Sequence, residues 1–356
     1  MSVVPELTSR QQQVLRATVN HYIATAEPVG SKALVESYAL GVSSATIRNT
    51  MGVLERAGLL FQPHTSAGRV PSDSGYRLYV DQLILPAADL MRQMGKQFSQ
   101  QLPWGEWSVE ALLRGAAQIL ASVSGCITLI TLPQSETVRL RYLQVLQVEP
   151  QRVLLILVTD DYQSQSALLN LAQIALPPVD RLDRELQILS NFLNQQLQHR
   201  PLSDLTSLDW EALGQELNRY ADSVQSLLIE LSRRLQPPAT TQLLISGVSE
   251  LLRQPEFNQL QQVQALLELL EGNPEQVWPL VFDPRRSKVS LHIGAENPLE
   301  PMQSCSLVAA AYRKGDRPIG SVGLIGPTRL DYERAIAAVE ATAEYLSRAF
   351  GEVVEP

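Results

Sequence analysis

The chain has 356 residues and a mass of 39.4 kDa, with 45% hydrophobic residues, 19% charged residues and a formal net charge of −8. That apolar share excludes a wholly disordered chain, and the length predicts two or three domains. The longest aliphatic run, 153–158, falls far short of the ~18 residues of a membrane span. The N-terminus lacks a secretory pattern and Cys126 and Cys305 are the only cysteines, so a cytoplasmic protein without a disulfide framework is expected.

In chain order, Thr8 and Gln11 form a capping-box pattern that opens a helix, with Val14, Leu15, Val19, Tyr22 and Ile23 on one face. Pro28 ends it. A short helix is predicted from Ser31 to about Tyr38, then a tight turn in which Gly41 supplies a positive φ. Ser43 or Ser44 caps a third helix that runs to about Ala57, with Ile47, Met51 and Leu54 inward. Residues 59–62 and 69–70 can pair as short strands around the polar loop 63–68. Two short helices across a glycine turn, followed by a hairpin, make a winged helix-turn-helix. Ser72 caps a further helix to about Leu83, and Pro86 closes the segment.

Residues 87–125 read as helical, interrupted at 103–107. Strand patterns follow at 126–132, 140–148 and 153–159, and 163–238 reads as mostly helical, with a long apolar stripe over 213–235. Strands return at 289–293, 305–312 and 319–325. A final helix, capped at Asp331, carries Ile336, Val339, Ala343, Leu346 and Phe350 inward. The fold class is therefore α+β and multidomain. Residues 1–86 form the first domain, 87–162 with 239–356 an α/β domain in two pieces, and 163–238 an insertion within it.

Charge is distributed unevenly. Residues 1–85 carry seven basic and six acidic side chains, and 43–77 carry four against two, so this segment is where a polyanion would dock. On the third helix, Arg48 suits bidentate pairing with guanine and Asn49 with adenine, while Ser44 and Thr46 near its start suit phosphate oxygens. In the hairpin loop, His64, Thr65 and Ser66 allow close approach to a backbone phosphate and Arg69 adds charge; Lys32 and Arg77 complete the set of candidate DNA contacts. The competing reading is an ordinary solvated helix face and a routine surface turn.

Catalysis finds no pattern to rest on. His21, His64, His199 and His292 are scattered, and no metal-ligand spacing or nucleophile elbow occurs, so no enzyme activity, metal or cofactor is expected. Residues 320–329 are glycine-rich but lack the Lys-Ser/Thr ending of a phosphate loop and read as a packed strand. Cys126 lies in an apolar run and reads as an inert core thiol.

Several of these segments resemble the HrcA family of heat-inducible transcription repressors. The likeness is carried by Glu27-Pro28-Val29-Gly30-Ser31, by Ser43 to Asn49, by Pro63 to Pro71 and by Gly75 to Asp81. Further along it is carried by Glu256-Phe257, by Ile293-Gly294-Ala295-Glu296-Asn297 and by Ile325 to Tyr332. It is weakest over 163–238, and Thr50 and Gly52 depart from the family's third helix. The resemblance implies a winged-helix DNA-binding domain, a GAF-like domain and a dimerising insertion within it. It further implies a homodimer that represses chaperone operons at an inverted-repeat operator called CIRCE, releases it on heat stress, and depends on a GroEL-type chaperonin. A ligand-sensing winged-helix/GAF regulator is the alternative, and an interaction scaffold a third.

Overall fold

The structure, a computed structural model, describes residues 7–65, 67–84, 88–102, 108–133, 139–149, 152–159, 164–170, 179–201, 243–257, 260–283 and 289–352. The chain divides into two units, one of Met1–Leu132 with Thr241–Pro356 and one of Pro133–Thr240. In the first, α1 (Ser9–Thr25) starts at the capping box, where Thr8 accepts from the Gln11 N–H and Gln11 Oε1 accepts from the Thr8 N–H at 2.7 Å. α2 (Ser31–Ser37) and α3 (Ser44–Arg56) are joined through Gly41, at φ +66°. β1 (Leu60–Phe61) pairs antiparallel with β2 (Val70–Pro71), and a bridge adds Val29 to Arg69. α4 (Asp73–Leu78), capped by Ser72, runs on as a π-helical stretch, Tyr79–Leu83. α5 (Ala88–Gln101), α6 (Val109–Ser124) and β3 (Ile127–Thr131) follow.

The second unit holds β4 (Leu140–Glu149), β5 (Arg152–Thr159) and β6 (Ser164–Asn170) in one antiparallel sheet of that order, and α7 (Val179–Leu197). α7 lies along the edge of β4. Asn194 Oδ1 accepts from the Leu143 N–H at 2.8 Å, its Nδ2 donates to Leu143 O at 2.7 Å, and Ser190 Oγ accepts from the Val145 N–H at 2.9 Å. These side chains satisfy backbone groups that an edge strand leaves unpaired. Two expectations are corrected here. Residues 164–170 form a strand and not helix, and β4 and β5 sit with them in the inserted unit, which begins at Pro133 and not at 163. The stripe over 213–235 lies outside the described residues.

Back in the first unit come β7 (Leu243–Ser246), α8 (Val248–Leu251), α9 (Leu260–Gly272), α10 (Pro274–Val281), β8 (Ser290–Ile293), β9 (Cys305–Lys314), β10 (Arg317–Pro327) and α11 (Tyr332–Glu352). Five strands form an antiparallel sheet ordered β7-β3-β10-β9-β8. Ile127, Leu129, Leu307, Ala309 and Ile325 are buried with Val263, Leu266, Val277 and Val281 of α9 and α10. Ile130, Val308, Tyr312, Val322 and Leu324 are buried with residues of α6 and α11 on the other face. A sheet covered on both faces needs no polar alternation, and even Thr128 and Thr131 of β3 and Ser321 of β10 are buried among apolar neighbours. Residues 320–327 accordingly lie in β10. The core beneath α11 continues into the N-terminal helices, since Leu15, Ile47, Tyr76 and Tyr79 belong to the same buried cluster as Tyr332 and Leu346. No helix among the described residues is long and apolar enough to cross a membrane.

Candidate nucleic-acid interface

α3 is amphipathic because Ile47, Met51 and Leu54 fall at steps of three and four and pack inward. The same spacing turns Ala45, Arg48, Asn49, Val53 and Arg56 outward, all exposed. Ser43 begins the helix by accepting from the Thr46 N–H, and its hydroxyl lies 3.0 Å from that of Thr46. Ser44, expected to meet a phosphate, has its hydroxyl 2.9 Å from that of buried Ser31, and the pair ties α2 to α3. Arg48 and Asn49 are where the pattern placed them, side by side on the exposed face. Val53 and Arg56 lie one and two turns beyond Asn49 on the same exposed face.

The hairpin stands beside this helix. Its loop is closed by Gln62, whose Nε2 donates to the Thr65 and Ala67 carbonyls, each at 2.9 Å. His64 and Thr65 are exposed at the tip; Ser66 lies outside the described residues. Val29 and Arg69 exchange both backbone hydrogen bonds at 2.9 Å, which makes the hairpin a three-strand ribbon. Gly68 is required there, because a Cβ would lie 2.4 Å from the Val29 carbonyl oxygen. The Arg69 side chain reaches Glu55 of α3, with Nε 3.0 Å and an Nη 2.9 Å from the same carboxylate oxygen. Its charge is partly spent on holding the hairpin to the helix.

Lys32 is exposed in the first turn of α2. Arg77, the last of the candidates, is engaged by acidic and carbonyl partners. Its Nε donates to Glu296 Oε1 at 2.9 Å, its Nη2 donates to the Leu291 carbonyl at 2.8 Å and to the other Glu296 oxygen, and its Nη1 lies 3.4 Å from Asp81. Asp81 is one helical turn away, but Glu296 and Leu291 come from a segment more than two hundred positions away, so nothing local in the sequence signals them. Among the described residues, no group of histidine, cysteine, aspartate or glutamate is placed to hold a metal ion.

Comparison with known proteins bears on what such a surface belongs to. Residues 110–336 match the family model described as the HrcA protein C-terminal domain. A heat-inducible transcription repressor HrcA of Anabaena sp. (strain L31) is 57% identical over 97% of this chain and 99% of its own. That of Synechococcus elongatus (strain ATCC 33912 / PCC 7942 / FACHB-805) is 60% identical over 98% of this chain and 99% of its own. The chain belongs to the HrcA family of heat-inducible transcription repressors. HrcA is a family of repressors and not of enzymes, in keeping with the absence of a catalytic pattern in the sequence. A solved structure described as a hypothetical protein superposes with a TM-score of 0.67, covering 98% of this chain and 99% of its own at 24% identity, and that likeness speaks to the fold alone.

Proposed function

We propose that the chain binds double-stranded DNA as a homodimeric winged-helix repressor, with α3 as the recognition helix in the major groove and the 62–68 loop as the wing on the phosphate backbone. The observation that carries this is the pair Arg48 and Asn49, exposed together on the outer face of a short helix whose inner face is fully buried. Membership of the HrcA family supports a finer reading. The operator is the CIRCE inverted repeat of chaperone operons, repression is relieved on heat stress, and a GroEL-type chaperonin is the partner that maintains the active form.

An inverted repeat calls for a two-fold pair of recognition helices. The inserted unit supplies a surface suited to pairing. On its sheet, Tyr142, Leu146, Val148 and Leu168 are exposed, and Tyr142 faces Val158 and Leu154 faces Leu168 across the strands. An apolar sheet face of this kind is a partner surface and not a solvated one. The five-stranded domain is GAF-like in this reading. The rival, a regulator that senses a small molecule, has a cleft of about 610 Å³ beside Met91, Ala310 and Glu340 to draw on.

The deciding experiment measures binding of the full chain to an inverted-repeat duplex and to a scrambled duplex across a salt series. A preference of ~10³-fold or more is expected for a specific repressor. Arg48→Ala should remove about 1–3 kcal/mol of that preference while leaving binding to scrambled DNA unchanged. Equal weakening on both duplexes would remove Arg48 from base reading.

A further inference from the structure

The turn Gly294-Ala295-Glu296-Asn297 is far from α3 in sequence and is not part of the proposed DNA surface, yet it is built around Asp73 and Arg77 of α4. Gly294 holds φ +53°, and a Cβ there would lie 2.2 Å from the Asp73 carboxylate. The same carboxylate accepts from the Ala295 N–H at 2.9 Å. Glu296 accepts from the Ile293 N–H at 2.9 Å and takes the Arg77 guanidinium through two nitrogens, a planar fork geometry that fixes direction as well as distance. Buried Asn297 holds the turn from behind, with its amide nitrogen within 3.0 Å of the Gly294, Met302 and Cys305 carbonyls.

A second contact of the same kind lies at the end of α1. Arg329 is held by Glu256 and by Gln254 Oε1 at 2.9 Å, and its Nη1 donates to the Ile23 carbonyl at 3.3 Å. Ile23 is in the last turn of α1, where carbonyls lack helical partners and a cation is favoured. Between the two contacts the rings of Tyr76 and Tyr332 pack at 5.5 Å. One attachment would leave a swivel; two, on α4 and on the end of α1, with aromatic packing between them, define an orientation.

We infer that Asp73, Arg77 and Glu296, with Arg329 and Glu256, are positioning residues for DNA recognition. They fix the angle at which α3 is presented relative to the C-terminal sheet, so that two copies offer their helices at one spacing. This rests on the dimeric reading proposed above. Arg77 thereby acts on DNA through Glu296 and not by touching it.

The test uses full-length wild type, Arg77→Glu, Glu296→Arg and the double reversal. Each is measured on an inverted repeat, on a duplex with one half-site, and on repeats whose spacer is changed by about half a helical turn, ~5 bp. Each single variant is expected to lose ~10–100-fold on the full repeat, to keep its half-site affinity, and to discriminate less between spacers, because the avidity of a fixed geometry is lost. The double reversal restores both affinity and spacer preference. Glu296→Gln, which keeps the side-chain shape, replaces any reversal that does not fold. Equal loss of Arg77→Glu on half-site and full repeat, unrescued by the double reversal, would place Arg77 on the DNA and overturn the inference. Unchanged affinity and spacer preference would overturn it as well. A wild type that prefers the full repeat no more than the half-site would instead withdraw the dimeric reading, and this inference with it.

Discussion

Arg69 and Glu55 are joined at 2.9 Å across the angle between the hairpin and α3, so the proposed wing and the proposed recognition helix are fastened by an ion pair that a phosphate would compete for. Both side chains are only partly exposed. Their pair is therefore screened less by water and salt than a freely solvated one.

The pair makes an asymmetric prediction. Glu55→Ala removes a negative charge and releases Arg69, so affinity for all DNA sequences should rise and the salt dependence should steepen. Arg69→Ala should weaken all sequences alike and reduce the slope of log K against log salt by about 1. Titrations at several salt concentrations on operator and scrambled duplexes check both signs together.

Gly68→Ala tests the ribbon that carries the loop. The added methyl meets the Val29 carbonyl at 2.4 Å, so the Val29–Arg69 backbone pairing must open or shift. Overpacking of this kind costs about 1–3 kcal/mol. A lowered melting temperature with faster amide exchange at Val29 and Arg69 is expected, alongside weaker DNA binding.

Glu296 gives a pH dependence with a definite sign. Burial would raise its pKa, but hydrogen bonds from Arg77 and the Ile293 N–H, with the charges of Arg77 and His292, hold it below the ordinary glutamate range. Folding therefore favours the ionised form. The stability this group contributes is whole above its unfolded value, ~4.3, and is lost as pH falls through its lower folded value. Wild type should exceed Glu296→Gln in melting temperature at neutral pH, and the gap should narrow below about pH 4.

The two thiols should be silent in the folded chain. Burial pushes Cys126 up to about 12 and Cys305 up to about 11, leaving almost no thiolate at pH 8. Iodoacetamide should leave both unmodified in native protein and alkylate both in denaturant, as intact-mass measurement would report.

Much of this was legible in the sequence where local chemistry decides. The caps at Thr8, Ser43, Ser72 and Asp331 announce the starts of α1, α3, α4 and α11, and the inward face of α3 follows from the spacing of Ile47, Met51 and Leu54. β6 was not legible. Its sequence, Ser164-Gln165-Ser166-Ala167-Leu168-Leu169-Asn170, has no β-branched residue and several good helix formers, and only pairing with β5 makes it a strand. The pairing of Arg77 with Glu296 was hidden by distance, because 219 positions separate them in the chain. Ser44 shows the smaller version of that effect, its hydroxyl turned to Ser31 by the packing of α2 on α3.

The buried cluster that runs from Leu15 and Ile47 through Tyr76 to Tyr332 and Leu346 has a thermal consequence. The helices proposed to face DNA and the C-terminal sheet share one interior, so they are expected to melt together, and warming that loosens α11 would also loosen the seat of α3. A repressor built this way requires no dedicated thermometer. On the proposed reading, its grip on DNA would follow the integrity of that shared core, and restoring the core would restore repression.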